Sequence, residues 1–187
     1  MDFEKLVQVV AYVLKKYDGK LNYTKLIKLL YLADREALRE TSVSITGSTY
    51  FSMDSGPVLS ELYDFIRQNG NQRSQRIWNR FFTIENEDQY NLILTTPDIP
   101  EGKLSDYDKE ILDRIINKFF DFTYGQLIDY VHSNCPEWED PRGTSTPIYP
   151  YKILKALGKT DDEINFILEE ERSYNREESI LRNLANA

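Results

Sequence analysis

The sequence predicts an α+β fold: a mainly helical single domain with a small antiparallel β-sheet or hairpin inserted between early and late helices. Apolar residues recur at helical spacing near the start of the chain and again through its second half. Between these regions lie two β-rich stretches, residues 45–53 and 78–94, bounded by Gly, Pro, Asn and Asp. With 187 residues, 41% of them hydrophobic, the chain is long enough for one substantial core.

Phe3, Leu6, Val7, Val10, Val13, Leu14 and Tyr17 form one apolar stripe, so the first helix is amphipathic, and Asp18-Gly19 stops it. The second helix, TKLIKLLYLADREALRE, is over-packed: Leu26, Ile27, Leu29, Leu30, Tyr31, Ala33, Ala37 and Leu38 cover far more than one stripe. It is therefore the central helix. Lys25, Lys28, Arg35, Glu36 and Arg39 share the narrow remaining sector, which is expected to face solvent, whereas Asp34 falls between Leu30 and Leu38 and points inward. Burying an ionised carboxylate costs several kcal/mol unless donors meet it, so an inward Asp34 needs partners. The alternative is a rotated or frayed helix that lets Asp34 reach water.

After Thr41 a short alternation broken by Gly47 predicts an extended or hairpin segment over residues 45–53. Asp54, Ser55 and Gly56 turn the chain, and Pro57 takes the first position of a helix carrying Val58, Leu59, Leu62, Tyr63, Phe65 and Ile66. Residues 67–76, RQNGNQRSQR, read as a loop. Trp78, Phe81, Phe82, Thr83 and Ile84, a polar turn at Asn86, Glu87 and Asp88, and Tyr90, Leu92, Ile93 and Leu94 read as a hairpin that joins residues 45–53 in one sheet.

Ser105 with Asp108 begins a helix through Ile111, Leu112, Ile115, Ile116, Phe119 and Phe120. Thr123 caps another, carrying Leu127, Ile128 and Val131, which Pro136 ends. Residues 139–147 form a loop, residues 151–157 a short helix closed by Gly158, and Thr160 with Glu163 starts the last helix. Its apolar start, Ile164, Ile167 and Leu168, gives way to EEERSYNREES, which is solvated, frayed or held for a partner. This divides the chain into a domain over residues 1–168 and a charged helical extension over residues 169–187.

A net charge of −8 and a pI near 4.8 disfavour nucleic acid as the main partner, because phosphate binding relies on Lys and Arg displacing counterions. An acidic surface instead suits solubility or the steering of a basic protein. No run of about 20 apolar residues exists and MDFEKL does not resemble a signal peptide, so no membrane partner and a cytoplasmic location are expected. The single cysteine, Cys135, permits no internal disulfide and agrees with a reducing compartment.

His132 and Cys135 are three residues apart on the edge of an apolar helical face. Pro136 breaks that helix immediately, and nucleophile–base pairs of the papain type come from distant parts of a chain. They supply two soft metal ligands where zinc sites want three or four. Neither catalysis nor a cofactor or metal is expected, and an enzyme or metal protein using His132 and Cys135 is the alternative of a different class. Gly47 and Gly56 fit no phosphate-binding fingerprint. Trp138 is expected in the core. Tyr50, Phe51, Tyr90, Tyr149 and Tyr151 have the polar-tipped character of interface residues, although each taken singly is expected to face the core.

Three blocks, KLIKLLYLADRE with ITGSTYFSMDSGPVLSELYDFI, then QLIDYVHSNCPEWEDP, then IYPYKILKALGKTDDEI, together resemble the Panacea domain, the SocA-like antitoxin family. The first block is the most specific, and the three span most of residues 24–168. Members are typically small bacterial or prophage proteins. The resemblance implies an antitoxin that neutralises a cognate toxin by direct protein–protein binding in a toxin–antitoxin system, a function that needs no catalytic residue. It also implies an alternative, an adaptor that delivers the toxin to an ATP-dependent protease. The toxin-binding surface is expected on exposed parts of residues 50–56: Tyr50, Phe51, Met53, Asp54, Ser55 and Gly56. Asp34 and His132 are expected to form a structural polar pair, because it would tie the first two matched blocks together.

Overall fold

The computed structural model describes residues 1–85 and 90–185. The chain opens with helix α1 (Phe3–Lys16), strand β1 (Lys20–Asn22) and helix α2 (Tyr23–Thr41), followed by the hairpin β2 (Tyr50–Met53) and β3 (Gly56–Leu59). Helices α3 (Ser60–Ile66) and α4 (Gln72–Phe81) lead to strands β4 (Phe82–Ile84) and β5 (Asn91–Leu94). Helices α5 (Asp106–Phe119) and α6 (Tyr124–Asn134), strand β6 (Thr146–Ile148) and helices α7 (Pro150–Ala156) and α8 (Asp161–Ala185) complete it. The fold is α+β and mainly helical, as the sequence predicts.

Local chemistry explains the helix ends. The Asp2 side chain accepts from the Glu4 and Lys5 N–H groups at the start of α1, and Asp18 and Gly19, both at positive φ, end it. Asn22 caps α2, and reciprocal capping boxes, Ser105 with Asp108 and Thr123 with Gln126, start α5 and α6. Thr160 and Glu163 bond reciprocally at the start of α8, which runs without a break past residue 168.

α2 is the axis of the core. α5, α6, α7, α3, β1 and β3 all pack on it, so even the sector expected to face solvent is largely covered. Lys25 and Lys28 are buried, Arg35 and Glu36 half-buried, and only Arg39 of that group is exposed. Enclosure from several sides leaves no room for the expected polar strip.

The strands form two three-stranded antiparallel sheets, ordered β1-β5-β4 and β3-β2-β6. The β4–β5 hairpin therefore does not join β2: Ile93 pairs with Lys20 on one side and Thr83 on the other, while Tyr50 pairs with Leu59 and Ile148. Part of the expected loop over residues 139–147 is strand, because β6 completes this second sheet. The expected turn residues Asn86, Glu87 and Asp88 lie outside the described residues.

Two further expectations are corrected. Residues 72–81 are helical, with Asn71 capping at the Ser74 N–H, so Trp78 and Phe81 belong to α4 rather than to a strand. Their β-propensity yields to packing: the Trp78 ring stacks on Phe65 at 5.4 Å and lies 4.3 Å from Phe82. Pro57 sits in β3, opposite Ser52, and the helix starts only at Ser60. β3 is an edge strand, where the missing proline N–H is tolerated.

Asp34 is fully buried, which settles the inward reading. Its Oδ1 accepts the Thr46 N–H at 2.9 Å, and its Oδ2 accepts the Thr46 hydroxyl and, at 3.0 Å, the Tyr50 hydroxyl. Burial raises its pKa to about 6, against the lowering effect of these donors. Removing the carboxylate orphans three donors, so Asp34→Ala is expected to cost about 2 kcal/mol or more. Tyr50→Phe should cost less, and the double variant less than the sum, by chemical denaturation.

Because the folded pKa lies above the ordinary value of 3.8, this group's contribution to stability is complete below pH 3.8 and is lost as pH rises through about 6. At about 1.4 kcal/mol per pH unit it amounts to roughly 3 kcal/mol over that window. Asp34→Asn should remove this slope, and parallel pH–stability curves for the variant and the parent would refute it.

Candidate functional site

The exposed turn Asp54–Ser55 joins β2 to β3 and stands over side chains from α2 and α6. Gly56 makes the close approach possible. It lies at φ +98°, and a Cβ there would sit 2.7 Å from Val131 Cγ2, 3.3 Å from Lys28 Nζ and 3.4 Å from His132 Nε2. Glycine thus lets the strand cross directly over a lysine and a histidine.

Lys28 is 1% exposed and donates from Nζ to the Pro57 carbonyl at 2.7 Å. None of the salt bridges among the described residues includes it. Burial lowers its pKa to about 7. The His132 ring stacks on Trp138, with centroids 3.9 Å apart and planes 11° apart. Trp138, half-buried rather than in the core, donates its indole N–H to the Met53 carbonyl at 3.0 Å. His132 Nε2 is buried and has no hydrogen-bond partner among the described residues, and burial followed by the Lys28 charge lowers the imidazole pKa.

Asp34 and His132 are not paired. The Asp34 oxygens are taken by Thr46 and Tyr50, whereas His132 lies near Lys28. Six residues of helix put Lys28 and Asp34 roughly 120° apart around α2, so one imidazole cannot serve both faces. The element that does tie α2 to the segment after α6 is Glu137, whose buried carboxylate accepts from the Tyr31 hydroxyl at 2.6 Å and from Arg35 Nε at 2.7 Å. Tyr31 and Arg35 share a face by their i,i+4 spacing, but nothing local singles out Glu137 as their partner.

Cys135 is buried, and desolvation, then the Glu137 charge, pushes its thiol up to about 12, which keeps it from acting as a thiolate. Among the described residues no group of three or more His, Cys, Asp and Glu could hold a metal ion, and no helix is long and apolar enough to cross a membrane.

Alternation along β2 divides the expected interface residues. Tyr50 is buried by its bond to Asp34 and Gly56 by the crossing of α2 and α6, so neither offers a contact surface. Phe51 and Met53 are half-buried, and Asp54 and Ser55 exposed. Tyr90, Tyr149 and Tyr151 are exposed instead of core, the last two stacked at 5.9 Å.

Beside the turn lies a cavity of about 300 Å³, walled by Thr24, Ile27 and Lys28 of α2, Met53, Asp54 and Ser55, Val58, Tyr23 and Tyr63, and Gly143 and Thr144. The Gly143 N–H donates to Asp54 Oδ1 at 2.9 Å, which holds the far wall against the turn. The site depends on Gly56, so Gly56→Ala is expected to destabilise the protein by about 2 kcal/mol or more in denaturant unfolding. Val131→Ala in the same chain should recover only part of that loss, because the positive φ remains.

Residues 26–139 match the family described as antitoxin SocA-like, Panacea domain. No curated protein and no solved structure matches the chain. The matched stretch contains α2 from Leu26 onward, the hairpin, α6 and the Glu137–Trp138 segment, and the C-terminal block at residues 148–164 lies beyond it. Because the match covers more than half of the 187 residues, the chain belongs to the SocA-like antitoxin family of Panacea-domain proteins.

Proposed function

We propose that this protein is an antitoxin that neutralises a cognate toxin by direct protein–protein binding. The family match across residues 26–139, which include the hairpin, carries this reading. The interface is placed on Met53, Asp54 and Ser55, with Phe51 beside them, since these are the accessible members of the turn. Half-buried Tyr23 and Tyr63 near the same cavity supply aromatic groups of the kind that anchor interfaces. The net charge of −8 favours a basic partner in the encounter step. Residues 1–168 are the binding domain in this reading, and the charged stretch from residue 169 onward is not required for binding.

The test is co-expression with the neighbouring small toxic protein, combined with a pull-down. Met53→Ala and Asp54→Arg are expected to weaken the complex at least about tenfold and to abolish growth rescue, with circular dichroism confirming the fold. Full rescue by both folded variants moves the interface away from the turn. A toxic neighbour that forms no complex overturns the antitoxin reading. Truncation after Leu168 should preserve both binding and rescue, whereas binding without rescue would mark a proteolytic adaptor.

A further inference from the structure

We propose that the cavity beside the first two turns of α2 is a carboxylate-binding site, with the Lys28 ammonium as its countercharge. The charge on Lys28 and the make-up of the cavity wall support this. An ammonium has three donors, and one of those on Lys28 goes to the Pro57 carbonyl, with no carboxylate in ion-pair reach among the described residues. A buried cation without a countercharge is costly where an apolar side chain of similar length would serve packing equally well. A strongly perturbed lysine lining a cleft is the kind of group that binding sites keep.

The wall around it favours a negative charge. Tyr23 and Thr24 are the first residues of α2, a 19-residue helix, so the cavity lies at the positive end of its dipole. The N–H groups of Thr24 and Lys25 are taken by Asn22 Oδ1. The helix therefore contributes field, and the direct donors are Lys28 and the hydroxyls of Thr24 and Ser55, since the Thr144 hydroxyl donates to the Pro141 carbonyl at 2.7 Å. Ile27, Val58 and Met53 give an apolar wall for a short hydrocarbon stem. A volume of about 300 Å³ is at the lower end for ligand sites and suits one acid-bearing chain. Asp54 stands at the exposed rim with one oxygen engaged by Gly143, and its charge disfavours a second carboxylate on the same ligand.

Two sources share this chemistry: an Asp, Glu or C-terminal carboxylate of a bound toxin, and a free short-chain acid. Only the first rests on the antitoxin reading. The probe is sodium butyrate, with butyramide as the uncharged isostere and sodium chloride to match ionic strength, followed on the ¹⁵N-labelled full chain by amide NMR. Butyrate is expected to shift the Ser55, Gly56, Gly143 and Thr144 resonances saturably in the millimolar range, with butyramide at least about tenfold weaker. Lys28→Met should abolish the butyrate shifts.

Equal shifts from both probes, no saturable shift, or full retention of binding in folded Lys28→Met would each overturn the proposal. If Lys28→Met does not fold, the butyrate–butyramide comparison on the parent chain decides alone. Repeating the titration on the toxin complex identifies the source. Butyrate excluded by at least about tenfold means that the toxin supplies the carboxylate, and undiminished butyrate binding means a free acid. Because the first titration needs no toxin, its failure is distinct from a failure of the antitoxin reading, which pull-down measures.

Discussion

The Asp34 carboxylate is fully buried, and it is tolerated in the core because the Thr46 N–H, the Thr46 hydroxyl and the Tyr50 hydroxyl all converge on it. Those donors come from the segment that leads into β2, so satisfying one side chain on α2 also fixes where the hairpin begins. Tyr50 is paired with Leu59 in β3 and with Ile148 in β6, and its ring meets Tyr31 edge-on at 5.7 Å. The position of the second sheet on α2 is in this way coupled to the desolvation of one carboxylate, whose raised pKa records the cost.

Two other buried charges on or against α2 follow different logic. Glu137 is met by Tyr31 and Arg35, an arrangement that recovers much of its desolvation cost through short, charge-assisted bonds and clamps the chain after α6 onto the central helix. Lys28 donates to one carbonyl and has no countercharge among the described residues. In a chain with a net charge of −8 the outer surface steers toward basic partners at long range, while a buried ammonium acts only at contact. In the proposed complex, steering and recognition would thus operate with opposite signs at different distances.

Family membership and geometry meet at the hairpin. The match over residues 26–139 covers α2 from Leu26 onward, the β2–β3 turn and α6, which are the elements that Gly56 brings into close approach. Cys135, next to this site in sequence, is desolvated to the point that its thiol stays protonated, while His132 is committed to stacking on Trp138. Both side chains thus take part in packing at this site.

Local patterns determined a good deal on their own. The amphipathic stripe of α1, the over-packed α2, the Ser105–Asp108 and Thr160–Glu163 boxes and the Pro136 stop are visible because capping and 3.6-residue periodicity involve neighbours in the chain. The family was legible from the α2 and hairpin residues for a similar reason: they occur close together in sequence. Tertiary structure decided the rest. α4 formed where polar residues and aromatics suggested loop and strand, because Trp78 found Phe65 and Phe82 across the core. β1 and β6 are three-residue strands defined only by their partners. Lys28 has the same spacing as a solvated lysine, and its burial depends on β3 crossing above it. Glu137 resembles any loop acid until α2 presents Tyr31 and Arg35 to it. Burial and partner choice are properties of residues far apart in the chain, and desolvation energies arise only when those residues meet.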